Sequence, residues 1–268
     1  MCLVALALAV SARFPLVLAS NRDEFFERPT EPIAWWGDPA LLAGRDLQGG
    51  GTWLGLSAAG RLALVTNIRR PGALRADAAS RGAIVPAWLS SPLDARGFWH
   101  ELQAPRFNGF NLIAGDLTRD EWVWASTDTA QPQPLGVGIH GLSNATLDAP
   151  WPKVDALKRR LGEGLASAAS RTDLETTLFA ALADPRQAPD ADLPSTGVPL
   201  DVERWLSSAF IHSPDGRYGT RASTLLIAEA TADGLQVEVV ERSHAHTGQR
   251  AGERRERLRL QAGEERRP

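Results

Sequence analysis

The segments Cys2-Leu3-Val4-Ala5-Leu6-Ala7-Leu8-Ala9-Val10 and Leu16-Val17-Leu18-Ala19-Ser20-Asn21-Arg22-Asp23-Glu24 decide the fold of this chain. Residues 3–10 and 16–19 are apolar runs of strand length, and the stretch 11–15 between them is short and ends in proline. This pattern predicts two buried strands joined by a turn. If the strands pair as a hairpin, its open end brings Cys2 close to residues 21–23.

Cys2 is the only cysteine in the chain. After removal of Met1 it would carry a free α-amine with an ordinary pKa of about 8 and a thiol with a pKa of about 8.5. An N-terminal amine can activate an adjacent nucleophile by taking its proton. The position therefore predicts a nucleophile that carries its own base. The alternative is that Cys2 is a small apolar residue without a chemical role.

The first apolar run also imitates a secretory signal, because Val10-Ser11-Ala12 resembles a small-residue cleavage site. However, no lysine or arginine precedes Arg13, and the run is too short to span a bilayer. We therefore predict a cytoplasmic protein without a membrane span. Signal cleavage is the alternative, and it would discard Cys2.

Composition bounds the class of protein. With 268 residues, 43% of them hydrophobic, the chain is long enough for one large globular domain. We predict a single domain over residues 1–263 and a charged, frayed tail over residues 264–268. The formal net charge of −3 gives no reason to expect nucleic acid as a partner. The sequence leaves the oligomeric state open.

Further elements follow from periodicity and turn chemistry. A hairpin is predicted from residues 51–56 and 61–66, with Gly60 in its turn. Other strands are predicted at residues 110–114, 122–125, 223–228, 235–240 and 258–260. Helices are predicted at residues 81–89, shortened or kinked by Pro86, at 94–102, at 151–165, and after a capping box Thr172-x-x-Glu175. Strands at both ends and helices in the middle indicate an α+β domain.

Several polar residues at predicted strand ends are candidates for chemistry. Asp23 could hold the terminal amine, and Arg22 could stabilise a thiolate or an anionic substrate. Asn67 and Asn144 could donate to an oxyanion, or could simply form turns and helix caps. Arg221 could be a second cation at the same site or a solvated strand-end charge. No metal site is predicted, because the close pair His244 and His246 lies in a polar segment, expected to be exposed, with no thiol nearby.

Seven spaced blocks resemble the NRDE family, which includes the transport and Golgi organisation protein 2 group. They run in order from Met1 to about Arg242. The blocks are Met1-Cys2; Asn21-Arg22-Asp23-Glu24 with Phe25 and Arg28-Pro29; Gly50-Gly51-Thr52-Trp53-Leu54-Gly55; Thr66-Asn67; Asn108-Gly109-Phe110-Asn111-Leu112; Gly141-Leu142-Ser143-Asn144 with Pro150-Trp151; and Tyr218-Gly219-Thr220-Arg221.

The resemblance implies a four-layer αββα sandwich of the N-terminal nucleophile hydrolase type, with two mainly antiparallel sheets between helices. This family is similar to the penicillin V acylases and bile salt hydrolases. By matching motif, Cys2 is expected to be the nucleophile, Asp23 to orient its amine, and Asn67 and Asn144 to form the oxyanion hole. Those acylases have an arginine three residues before the aspartate, where this chain has Ser20. Arg22 or Arg221 would have to substitute for it.

Two functional hypotheses follow from the resemblance. The first is a hydrolase that cleaves a small amide or acyl (thio)ester through Cys2, without a cofactor. The second is a non-catalytic carrier of an apolar ligand, a lipid or haem, with tryptophans lining its cavity.

Overall fold

The computed structural model describes residues 2–37 and 40–261, so the predicted tail at 264–268 lies outside the described residues. The strands are β1 Cys2–Leu8, β2 Leu16–Phe25, β3 Thr30–Trp35, β4 Leu41–Asp46, β5 Leu54–Ser57, β6 Arg61–Asn67, β7 Phe110–Asp116, β8 Glu121–Ser126, β9 Gln133–Pro134, β10 Gly138–Leu142, β11 Tyr218–Thr231, β12 Gly234–His244 and β13 Arg250–Gln261. The α-helices are α1 Ile84–Ser90, α2 Ala95–Leu102, α3 Pro152–Ser167, α4 Arg171–Leu182 and α5 Leu200–Leu206.

The strands form two antiparallel sheets. The first sheet has the order β10-β1-β2-β11-β12-β13, and the second is the meander β3 to β9. In the first sheet Cys2 pairs with Arg22 and Leu8 pairs with Leu16, which fixes the register of the N-terminal hairpin. The open end of that hairpin therefore carries Cys2, as predicted.

Three apolar clusters separate four layers. One lies between the two sheets and includes Leu6, Leu18, Leu64 and Trp124. The second packs the outer face of the first sheet on α3 and α4, and the third packs the outer face of the second sheet on α1 and α2. The predicted α+β four-layer αββα sandwich is confirmed.

Strand β1 shows why the N-terminal run is apolar throughout. Successive side chains of a strand point to opposite faces. Val4 and Leu6 belong to the cluster between the sheets, whereas Leu3 and Ala5 belong to the cluster under the helices. A central strand covered on both faces has no polar alternation. The same period places Cys2 on the face between the sheets.

Strand β2 is longer than predicted. The polar residues 21–24 were expected to follow the strand, but they lie inside it. The reason is that β11 pairs with β2 along its other edge, with Asn21 opposite Ser223 and Asp23 opposite Thr220. Asn21 and Arg22 therefore pair with strands on both sides, whereas Asp23 and Glu24 pair with β11.

Other boundaries differ for local reasons. The predicted cap at Thr172 is wrong: Ser170 caps α4, and its Oγ accepts from the backbone N–H of Asp173 at 3.1 Å. Helix α1 begins at Ile84, so Pro86 sits in its first turn, where a missing N–H costs nothing. Strands β3, β4, β9 and β10 and helix α5 were not predicted from the sequence.

None of the helices within the described ranges combines the length and apolar character that crossing a membrane requires.

The close packing of Gly51 yields a stability prediction. A Cβ on Gly51 would lie 2.1 Å from the carbonyl oxygen of Gly82, which also accepts the N–H of Thr52 at 3.0 Å. We expect Gly51→Ala to lower the free energy of unfolding by about 1–3 kcal/mol through overpacking. Gly72→Ala is the control, because its Cβ would meet open space. Urea unfolding followed by tryptophan fluorescence measures both, and equal stability of the two variants would contradict the packing argument.

Candidate functional site

Cys2 opens into a cavity of about 650 Å³ at one end of the sandwich. The residue is 8% exposed, and the cavity is its route to solvent. Trp53 and Asn67 line the same cavity from the second sheet, and Arg81 lines it from the segment after β6. The thiol therefore faces a space large enough for a small acyl compound.

Arg22 lies directly across the strand pair from Cys2. Its guanidinium stacks over Trp53 with 4.3 Å to the ring centroid, donates to Thr30 Oγ1 at 3.3 Å and lies 3.7 Å from Asp46 Oδ2. The side chain is 5% exposed and lines the cavity. A fixed cation thus stands beside the thiol.

Asp23 is almost fully buried and also lines the cavity. Its Oδ1 accepts from Thr220 Oγ1 at 2.8 Å, and its backbone oxygen accepts from Tyr218 Oη at 3.0 Å. Burial raises the pKa of its carboxyl, and the positive charge of Lys153 opposes that rise. Thr220 belongs to β11, the strand that pairs with β2, so β11 orients the carboxyl of Asp23.

Asn67 and Asn144 are brought together, but with different surroundings. Asn67 lines the cavity, and its backbone oxygen accepts from Asn144 Nδ2 at 2.8 Å. Asn144 is buried and is not among the described residues that line the cavity. The neighbouring Ser143 donates from Oγ to the backbone oxygen of Cys2 at 3.0 Å. Because an amide has two N–H donors, one of those of Asn144 serves the fold.

These contacts belong to a junction between the two sheets. Thr66 Oγ1 donates to the carbonyl of Ser143 at 2.7 Å, and the N–H of Arg69 donates to the carbonyl of Asn144 at 2.8 Å. Asn111 Nδ2 donates to the carbonyl of Ala145 at 2.8 Å. We call this set of contacts the inter-sheet junction. It is formed by the end of β6, the start of β7 and residues 143–145.

Arg221 does not lie among the described residues that line the cavity. It sits at a bulge of β11, and its guanidinium donates to the carbonyls of Phe25 and Arg28, at 2.8 and 3.0 Å. Arg221 therefore binds the turn after β2 from its place in β11. Ser20 is buried opposite Val4, two residues before Arg22, so both point to the same face of β2.

Sequence reasoning missed a group of buried charges behind the site. Lys153 Nζ donates to the carbonyl of Leu206 at 2.8 Å, and burial lowers its pKa to about 8. Arg69 and Glu203 form a buried ion pair at 2.7 Å. Glu203 also accepts from the N–H and Oγ1 of Thr196, at 2.9 and 2.5 Å. The one sequence signal was Pro150-Trp151-Pro152, because a proline often begins a helix and would place Lys153 in the first turn of α3.

A further buried carboxyl lies between the sheets. Glu241 accepts from the N–H of Ile33 at 2.9 Å and from Thr224 Oγ1 at 3.3 Å. Burial raises its pKa to about 7, while Arg22 opposes the rise.

The electrostatics of Cys2 favour the neutral thiol. Burial raises its pKa, and the Asp23 carboxylate adds to that rise, whereas Arg22 opposes it. A buried thiol of this kind needs a base at the moment of attack, because little thiolate exists beforehand.

Two solved structures resemble the overall fold. One is a Caenorhabditis elegans N-acylethanolamine-hydrolyzing acid amidase ortholog, with a TM-score of 0.46, 10% identity, and coverage of 84% of this chain and 92% of that chain. The other is the C2A mutant of a conjugated bile acid hydrolase from Clostridium perfringens, with a TM-score of 0.41, 8% identity and 98% coverage of both chains.

Sequence relatives are much more similar. The chain is 35% identical over 247 residues to the Bos taurus transport and Golgi organization protein 2 homolog, covering 86% of this chain and 87% of that protein. It is 34% identical to the Homo sapiens homolog over the same shares, and 25% identical to the Drosophila melanogaster protein over 81% of this chain and 83% of that protein. Residues 1–246 match the sequence pattern described as Transport and Golgi organisation 2. The chain belongs to the transport and Golgi organisation 2 family, as its seven spaced motifs predicted.

Proposed function

We propose that this protein is a hydrolase in which Cys2, exposed by removal of Met1, cleaves a small amide or acyl thioester. One observation carries the proposal: Cys2 opens into the cavity that Asn67 lines, with Arg22 directly across the strand pair and Asp23 alongside. A nucleophile, an amide donor, a cation and a carboxyl thus share one space.

The reaction would run through an acyl-enzyme. The Cys2 sulfur attacks the substrate carbonyl while its proton passes to the α-amine. The carbonyl oxygen becomes negative and accepts from the side-chain amide of Asn67 and from the second N–H of Asn144, the one that does not bind the Asn67 carbonyl. The C–N or C–S bond of the substrate then breaks, and the ammonium returns the proton to the leaving group. Water attacks the thioester in the second half and restores the thiol.

Asp23 supports this chemistry by holding the amine. Its carboxyl is fixed by Thr220 and is buried, so an ammonium beside it would be favoured when the amine takes the proton. Arg22 favours negative charge at the sulfur.

The carrier hypothesis receives less support. Among the described residues that line the cavity are four arginines and three acidic residues. Burying such groups against an apolar ligand carries a large desolvation cost. Trp53 is the one tryptophan in that lining, and it is covered by Arg22.

Cys2→Ala tests the nucleophile. We expect the variant to lose hydrolysis of acyl amides and acyl thioesters, while its free energy of unfolding changes by no more than about 1 kcal/mol, because one buried atom is removed. Intact mass should show Met1 removed from the active wild-type protein. Turnover by Cys2→Ala, or by a protein that retains Met1, would contradict the proposal.

The two asparagines should separate activity from stability. Asn67→Ala is expected to lower kcat by about a hundredfold, because an oxyanion donor is lost. Asn144→Ala should also lower kcat, and in addition cost about 1–3 kcal/mol of stability, because its bond in the inter-sheet junction is buried. Steady-state kinetics and urea unfolding measure the two effects. Normal turnover by Asn67→Ala would remove it from the mechanism.

The pH dependence of Cys2 alkylation tests the electrostatics. Since Asp23 raises the thiol pKa and Arg22 lowers it, Asp23→Asn should shift the iodoacetamide rate profile to lower pH, and Arg22→Gln to higher pH. Arg45→Gln is the control, because Arg45 stacks on Trp36 and does not line the cavity. Shifts in the opposite directions would show that the thiol is governed by other groups.

A further inference from the structure

Two arginines at the cavity are held by backbone carbonyls. Arg75 donates from Nη2 to the carbonyls of Pro105 and Phe107, at 2.8 and 3.2 Å, and Arg81 donates from Nη1 to the carbonyl of Gly109 at 3.0 Å. The acceptors all lie in the segment 105–109, which precedes β7.

The backbone of Arg75 is fixed as well. Its N–H donates to Asn108 Oδ1 at 2.8 Å, and Asn108 Nδ2 donates back to its carbonyl at 3.0 Å. Two adjacent residues, Asn108 and Gly109, therefore anchor both arginines, one by side chain and one by carbonyl. This gives the Asn108-Gly109 block of the sequence a structural purpose.

Neither guanidinium has a carboxylate within ion-pair distance in the described part of the chain. The other two cavity arginines do: Arg28 lies 2.8 Å from Asp46, and Arg22 lies 3.7 Å from the same carboxyl. Glu24 attracts Arg81 only from a longer distance, and burial lowers the Arg81 pKa. Arg81 is therefore a partly buried cation without a counter-ion, which a bound anion would stabilise, and Arg75 is a more exposed cation in the same lining.

The lining residues between Arg75 and Arg81 have small side chains, which leave room for such an anion. Ala76, Ala78, Ala79 and Ser80 line the cavity together with both arginines and Cys2. We propose that Arg75 and Arg81 form an anion subsite, so that the molecule bound here carries a carboxylate or phosphate group remote from the carbonyl that faces Cys2. This inference rests on the proposed function for the identity of the reacting end, but the anion subsite itself does not require catalysis.

Matched alkylating probes can test the subsite. Bromoacetamides of ω-amino acids carry a terminal carboxylate, their methyl esters are neutral, and bromoacetamides of ω-aminoalkyl phosphates carry a phosphate. All three share one reactive group, and their rates at Cys2 are divided by their rates with free cysteine. We expect at least one anionic probe to react about tenfold faster than the neutral ester at its best chain length. The faster anion identifies the preferred group.

Variants assign the effect to the two arginines. Arg75→Gln and Arg81→Gln should each reduce the anionic preference, and the double variant should abolish it. The preference is taken as the ratio of the anionic to the neutral rate in the same variant, because Arg81 also interacts with Cys2 and its loss can change the rate of every probe. Arg106→Gln is the control, because it removes one exposed positive charge from the same segment without lining the cavity. An equal rate for anionic and neutral probes, or a preference that survives the double variant, would overturn the proposal.

A second measurement does not use Cys2. Inorganic pyrophosphate at constant ionic strength should raise the Tm of the wild type and of Cys2→Ala alike, but not that of the double variant. No shift in the wild type, or an equal shift in the double variant, would overturn the anion subsite even if Cys2 hydrolyses neutral acyl compounds. A shift that persists while Cys2→Ala retains hydrolysis would preserve the subsite and reject the proposed function.

Discussion

The inter-sheet junction is the constraint on which the site depends. Over most of their area the sheets meet through apolar side chains, whose burial is favourable but not directional. Near Cys2 the contact changes to hydrogen bonds with fixed geometry: Thr66 to Ser143, Asn144 to Asn67, and Asn111 to Ala145. Because Ser143 also binds the carbonyl of Cys2, the thiol on the first sheet and the Asn67 amide on the second are held in one arrangement.

Charges lie on both sides of Cys2 and have different surroundings. On one side Asp23, Lys153 and the Arg69–Glu203 pair are buried and bonded to the fold. Buried ion pairs contribute little net stability, yet removing one partner is costly, so such a group is best understood as fixing positions. On the other side Arg75 and Arg81 line the cavity, and among residues 2–37 and 40–261 the hydrogen-bond partners of their guanidinium groups are backbone carbonyls. In the proposed reaction the first set orients the reacting groups, and in the proposed anion subsite the second set supplies positive charge for a ligand.

Ser20 and Arg22 show how a departure from the acylase pattern fits the strand. The resemblance noted in the sequence implies an arginine at the position of Ser20. Side chains two positions apart in a strand share a face, so Arg22 points to the same side of β2 as Ser20. Arg22 lies directly opposite Cys2, whereas Ser20 lies opposite Val4. A cation is therefore present on that face, stacked on Trp53. Arg221, the other candidate, instead binds the turn after β2.

The sequence by itself determined the apolar N-terminal hairpin, its open end at Cys2, the α+β class and, through spaced motifs, the family and the four layers. These properties follow from strand period and turn chemistry, which are local, or from a pattern shared with relatives. Only the tertiary structure decided that residues 21–24 lie within a strand, because β11 comes from about two hundred positions later. It alone gave Asn144 its partner, 77 positions away, and buried Lys153 beside Asp23. Such partners depend on how sheets and helices pack, and no local periodicity encodes that.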